Sequence, residues 1–253
     1  MFEYSGLTRF EKTRVISARA LQISMGAPVL IKTHLHEPKE IAKLEFEKNV
    51  LPITVKRRAP VKKEKLLVPR EQYLSAGVHI GLTAKTADMK KFIYKVRPNG
   101  LAVLNVATID KRIGYVATML AEKKNILVVS RKENGQAAAG KFAELIGAKS
   151  ILGRFMPGSL TNPTYKEFFE PDIIVITDPL ADKQVMKEAV QMRIPIIGLA
   201  DTFNETTFLD VIIPCNNKGK KSLALVYWIL AKLITEKRKE KFEATLEDFG
   251  YEK

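Results

Sequence analysis

The chain has 253 residues, 46% of them apolar and 28% charged, a balance that builds a packed core and excludes a wholly disordered polypeptide. Its formal net charge of +14 and pI near 9.7 favour a polyanionic partner, whether RNA, DNA or an anionic membrane surface. A single cysteine, Cys215, excludes an intrachain disulfide and a cysteine zinc cluster and fits a reducing cytosol. The opening MFEYSGLTRFEK has no apolar stretch of a secretory signal, and no run of about 18 apolar residues marks a membrane span.

Taken in chain order, the first element is a helix. Thr8-Arg9-Phe10-Glu11 has capping-box spacing, Ile16, Ala20 and Ile23 follow at helical intervals, and Gly26 and Pro28 stop the run. Val29–Ile31 reads as a short strand, and Pro38 opens a second helix to about Lys48. Leu51–Val55 reads as an edge strand, because Pro52 cannot donate to a ladder. So small a core is marginal alone and suits a partner surface. Seven basic residues and one acid then lie between Lys56 and Arg70, punctuated by Pro60 and Pro69, as in a solvated connector. The boundaries expected are a small module at 1–58, a basic linker at 59–65, a larger domain at 66–240 and a charged tail at 241–253.

The larger domain alternates strand and helix. Strands are predicted at Ala102–Val106, Ile126–Ser130, Ile173–Thr177, Pro195–Ala200 and Val211–Pro214, as short apolar runs covered on both faces. Helices are predicted at 110–123, 136–147, 181–192 and 220–240. This alternation predicts an α/β domain with a parallel sheet, right-handed crossovers and helices on both faces.

Such a sheet can host an enzyme, but the required motifs are missing. There is no glycine-rich dinucleotide fingerprint, no phosphate-binding loop ending in Lys-Ser/Thr and no Gly-x-Ser-x-Gly elbow. Asp178 and Asp201 stand at the C-terminal ends of predicted strands, where these folds bind ligands, and could hold a metal on a receiver-like sheet. The Asp178-Pro179 pair fits a helix N-cap better. His34 and His36 lack the accompanying ligands of a metal site. His79 lies in Ala76-Gly77-Val78-His79-Ile80-Gly81, a glycine-rich bend that lets backbone approach a helix or a phosphate.

Three stretches have the residue types of a phosphate-contacting surface. Lys85, Lys90, Lys91, Lys95 and Arg97 crowd the segment after the His79 bend. Arg154 to Pro163 combines a cation with Thr161 and Asn162. Asn216-Asn217-Lys218-Gly219-Lys220-Lys221-Ser222 opens the last helix, whose N-terminus favours an anion. No interleaved aromatic series marks a single-strand platform, so structured RNA, met through its backbone and shape, is the expected ligand.

Two resemblances attach to longer words. LVPREQYLSAGVHIG at 67–81, GLAVLNVATIDKRI at 100–113, GRFMPGSLTNP at 153–163, DIIVITDP at 172–179 and NKGKKSLALVYWILAK at 217–232 closely resemble the small-subunit ribosomal protein two family in its archaeal and eukaryotic branch. That resemblance implies a flavodoxin-like α/β/α sandwich with a parallel five-stranded sheet. It implies contact with small-subunit ribosomal RNA and neighbouring ribosomal proteins in the cytoplasm, near the head–body junction on the solvent side, without catalysis, cofactor or small-molecule substrate. The RNA-binding candidates are His79, Lys85, Lys90, Lys91, Arg97, Arg154, Thr161, Asn162, Asn217, Lys218, Lys220 and Lys221. LTRFEKTRVISARALQISMGAPVLI at 7–31, EPKEIAKLEFE at 37–47 and LPITVKRR at 51–58 resemble the small RNA polymerase subunit called K in archaea, a relative of bacterial omega. This second resemblance implies an α+β omega-like module that latches the largest polymerase subunit without catalysing. Its contact candidates are Arg9, Phe10, Glu11, Arg14, Arg19, Ala20, Leu21, Gly26 and Pro28. The expectation is a fusion of the two. The rival readings are a ribosomal protein with an N-terminal extension and, more remotely, a metal-dependent enzyme.

Overall fold

The computed structural model describes residues 6–56 and 66–251. The chain divides into two compact units, residues 1–63 and 64–253. The predicted linker at 59–65 lies outside the described residues.

The first unit is two helices, α1 (Arg9–Ser24) and α2 (Pro38–Glu47). The capping box forms as its spacing predicts: the Glu11 amide donates to Thr8 Oγ1 at 3.3 Å and the Thr8 amide donates to the Glu11 carboxylate at 2.8 Å. The apolar core is small, Val15 and Leu51 with Leu7, Phe46 and Val55 around them. Beside it a buried ion pair joins the helices. Arg19 Nε lies 2.5 Å from Glu45 Oε2, Arg19 Nη2 donates to the Pro28 carbonyl at 2.9 Å, and the Leu30 amide donates to Glu45 Oε1 at 2.7 Å. Those last bonds explain a correction. Val29–Ile31 and Leu51–Val55 form no strands, because the described residues offer them no ladder edge and a carboxylate takes the Leu30 amide instead. Among the described residues the first unit is helical, not α+β.

The second unit begins with α3 (Arg70–Ser75) and an antiparallel hairpin, β1 (Ile93–Val96) with β2 (Ala102–Leu104). Then come α4 (Val106–Ala121), β3 (Ile126–Ser130), α5 (Glu133–Ile146), β4 (Lys149–Leu152), β5 (Ile173–Ile176), α6 (Lys183–Gln191), β6 (Ile196–Ala200), β7 (Val211–Pro214) and α7 (Lys220–Arg238). The five-stranded sheet is wholly parallel in the order β4-β3-β5-β6-β7, the flavodoxin-like winding. Strand alternation sorts its side chains into two layers. Ile126, Val128, Ile173, Val175, Ile197 and Leu199 face the large core shared with α4, α5 and α7. Leu127, Val129, Ile174, Ile176 and Ile196 face α6, with Phe155 and Leu160 from the loop after β4.

The main sheet has five strands, but not the five expected. Ala102–Val106 supplies a hairpin strand and then the start of α4, capped by Asn105, whose side chain accepts from the Ala107 amide at 3.1 Å. The fifth strand of the main sheet is β4. It sits on the edge with most of its residues exposed, so it lacks the apolar run that marks a covered strand. The charged tail also carries residues that pack. Phe249 is buried, the Trp228 indole donates to the Ala244 carbonyl at 3.1 Å, and the Phe242 ring stands edge-on to Trp228. Residues 241–251 therefore pack onto the domain.

Candidate nucleic-acid interface

Parallel strands deliver the loops that follow them to one edge of the sheet. Here those loops are 131–132 after β3, 153–169 after β4, 177–182 after β5, 201–209 after β6 and 215–219 after β7.

The His79 bend is built into this edge. The Asn216 amide donates to the Val78 carbonyl at 3.0 Å, and the Leu82 amide donates to Thr202 Oγ1 at 2.9 Å. Further on, the Thr86 hydroxyl donates to the Asn204 carbonyl at 2.9 Å and the Thr206 hydroxyl to Asp88 at 2.8 Å. Gly81 is required for this approach, since a Cβ there would stand 2.5 Å from the Thr202 methyl. The structure thus joins the first and third basic segments. The Arg154–Pro163 segment follows β4, which lies at the opposite edge of the sheet from β7.

The candidates sort by exposure. Lys90, Lys91, Lys95, Arg97, Arg154, Asn162, Lys218, Lys220 and Lys221 are exposed, and Lys85 and Thr161 are half-buried. Lys218 lies 4.6 Å from the centre of the Phe203 ring and Lys221 5.7 Å from that of Tyr251, cation–π placements that leave the ammonium groups at the surface. Asn162 accepts from the Thr164 amide and hydroxyl, which orders the loop while its side chain remains outside.

Two candidates take other roles. Asn217 is fully buried, its amide donating to the Leu199 carbonyl at 3.2 Å and to Asn204 Oδ1 at 3.1 Å. It positions the loop and does not face a ligand. His79 is also buried. Burial pushes its pKa down, and the charges of Arg97 and Arg70 push the same way, so the imidazole is neutral at pH 7 and does not serve as a phosphate-binding cation.

The carboxylates at this edge belong to the loop framework. Asp178 does not cap α6. It pairs with Lys132 and accepts from the Leu180 amide at 3.1 Å and from Asn204 Nδ2 at 3.0 Å. Asp201 Oδ1 accepts from the Thr202 amide at 2.6 Å, and burial raises its pKa to about 6. Asp182 is raised to about 6 as well, by burial first and then by the charge of Asp178. Among the described residues no three His, Cys, Asp or Glu side chains are grouped to hold a metal. The organisers Thr202, Asn204 and Glu188 escape sequence reading. Glu188, buried on α6, accepts from the Gly158 amide at 2.9 Å and the Leu160 amide at 3.3 Å, tying down the second segment. Only the clustering of Asp, Thr and Asn just after a strand hints at this work.

In the first unit Arg9, Phe10, Arg14 and Leu21 are exposed, as are Gly26 and Pro28, while Glu11 and Ala20 are half-buried. Arg19 is instead the buried cation that holds α1 to α2, so it is a keystone of the unit and not a surface contact.

The fold and this edge define a flavodoxin-like sandwich that uses its ligand-binding end to assemble exposed cations over a hydrogen-bonded frame. Comparison with known proteins gives the particular family. Residues 73–167 and 165–237 match the family described as Ribosomal protein S2. The chain is 51% identical over 175 residues to the small ribosomal subunit protein uS2 of Staphylothermus marinus, covering 68% of this chain and 80% of that protein. The chain belongs to the ribosomal protein S2 family.

Proposed function

We propose that residues 66–251 act as a structural component of the small ribosomal subunit, gripping small-subunit ribosomal RNA through phosphates and touching neighbouring ribosomal proteins, in the cytoplasm and without catalysis. The observation that carries this reading is the joining of two cation-rich segments on one sheet edge in a member of this family. Fixed cations of one sign set the position of a polyanion, and each phosphate neutralised releases counterions. Binding to ribosomal RNA should therefore weaken by roughly 10³-fold between 50 and 200 mM salt if about six phosphates are engaged. A filter-binding titration across that range tests it, and a flat response would overturn it.

We propose further that the first unit is an RNA polymerase assembly module of the K and omega type, docking on the largest polymerase subunit. Its support is the run of matching words at 7–58, together with an exposed stripe on α1. Phe10, Arg14 and Leu21 recur at spacings that place them on one face, with Met25 at the C-cap, and the buried Arg19 lies on the far side. The second reading, a ribosomal extension, is separated from it by gradient sedimentation of the native protein with detection at both ends. Co-sedimentation of the N-terminal end with polymerase supports the module, and its confinement to ribosomal fractions supports the extension.

A further inference from the structure

The hairpin of β1 and β2 carries an irregularity the phosphate reading does not use. Ile93 pairs with Leu104, but Lys95 pairs with Val103, so two steps along β1 match one along β2. Tyr94 is the extra residue. A bulge of this kind interrupts the ladder and redirects the side chain at that point. Tyr94 is 73% exposed, an unusual placement for a large ring in a strand beside a packed core.

Its surroundings are cationic. Lys90, Lys91, Lys95 and Arg97 are all exposed within four residues of it. The one acid in this stretch, Asp88, already accepts from the Thr206 hydroxyl. The hairpin end beyond Arg97 is stiff: the Arg97 amide donates to the Leu101 carbonyl at 2.8 Å, and Gly100 takes the left-handed conformation the turn requires at φ +83°. An exposed ring on a rigid hairpin is already placed, and a tyrosine loses little rotamer freedom on binding.

We infer that Tyr94 is a stacking platform for one unpaired nucleotide, with Lys91, Lys95 and Arg97 holding the phosphates that flank it. The inference rests on the RNA-binding reading above and adds a base contact to it. A protein partner fits this surface less well, because lysine is depleted from protein interfaces, whereas an aromatic face among cations matches a base between two phosphates.

The test uses the full chain and transcribed small-subunit ribosomal RNA across 50 to 200 mM salt. Tyr94→Ala should weaken binding about 5- to 150-fold at every salt concentration, with the salt slope unchanged, because a stack is lost and no phosphate contact is. Tyr94→Phe keeps the ring and should bind like the parent. Lys95→Ala should instead reduce the salt slope by about one. An unchanged thermal melt shows that the exposed Tyr94 variants fold. If Tyr94→Ala binds like the parent while Lys95→Ala weakens, the platform is overturned and the phosphate reading stands. Parental RNA binding by Tyr94→Ala, with failure to enter small subunits, assigns the ring to a protein neighbour and overturns the platform. Equal loss in Tyr94→Phe and Tyr94→Ala overturns it also, since the hydroxyl then acts and not the face. If the parent chain has no affinity for the RNA, the RNA reading itself falls.

Discussion

Two buried charges show how single residues set the stability of each unit. Asp182 precedes α6 with Oδ2 buried and unpartnered, and its carboxyl is raised to about 6. A carboxyl raised on folding adds stability that is fully present below its unfolded pKa of about 4 and is lost as pH rises through about 6. Asp182→Asn removes the buried charge at nearly constant shape. It should stabilise the domain by roughly 1–3 kcal/mol at pH 7 and leave it less stabilised than the parent on acidification from pH 7 to 4; urea melts at several pH values measure both effects. Glu45 is the opposite case. Burial alone would raise its pKa, but the hydrogen bonds from Arg19 and Leu30 prevail and hold it below the usual carboxylate value. Its contribution is present above the unfolded pKa and lost as pH falls through the folded one. Glu45→Ala strands Arg19 in a dry site, at a cost of about 3–5 kcal/mol. That exceeds what so small a core supplies, so amide protection across α1 and α2 should disappear while the larger domain melts as before.

At the scale of elements, the last long helix separates its tasks along its length. Ser222 and Leu223 to Tyr227 are buried in the main core, while Lys218, Lys220 and Lys221 sit exposed at its entrance. Surface charges contribute little to stability but much to phosphate affinity. Replacing the three lysines by alanine should leave the melting temperature within a few degrees and cut ribosomal RNA affinity, with a salt slope smaller by up to about three. A sharp fall in melting temperature with affinity retained would make them structural. The loop frame behaves in the opposite way. Gly81→Ala drives a Cβ against the buried Thr202 side chain, so it should cost about 1–3 kcal/mol. The elements that the sequence placed to within two residues were those with strong periodic or apolar signals: α1 with its capping box, β3, β5, β6, β7 and α7. The missed strands, β4 and β1, are short and mostly exposed, and neither has the covered apolar run of β3 or β5. An edge strand and a bulged hairpin have one side open to water and do not need the repeat.

For the whole molecule, Lys62, Lys63 and Lys65 set three trypsin sites within the seven residues 59–65. Trypsin should therefore cut first between Arg58 and Arg70, releasing a piece that contains the parallel sheet and keeps its melt, and a small piece that gains protection on meeting the largest polymerase subunit. Mass spectrometry of the first products identifies the site. Resistance to trypsin across this stretch would mean one integrated domain.

The sequence by itself determined the alternating α/β class and the parallel sheet of the larger domain, because covered strands and their crossover helices write continuous apolar runs and helical spacings into the chain. It also determined the cationic character of three segments, since charge is local and readable one residue at a time. What only the tertiary structure decided was which residues share a surface and which side chains are spent inside. Asn217 and His79 stand in loop segments expected to meet phosphates and Arg19 in the words that resemble a polymerase subunit, yet each is buried in this fold. Only the pairing of β1 with β2 reveals that Tyr94 stands outside the ladder. Such assignments depend on neighbours far away in sequence. Asn204 meets Asp178, 26 residues away, and Leu82 meets Thr202, 120 away, through contacts that no short window along the chain contains.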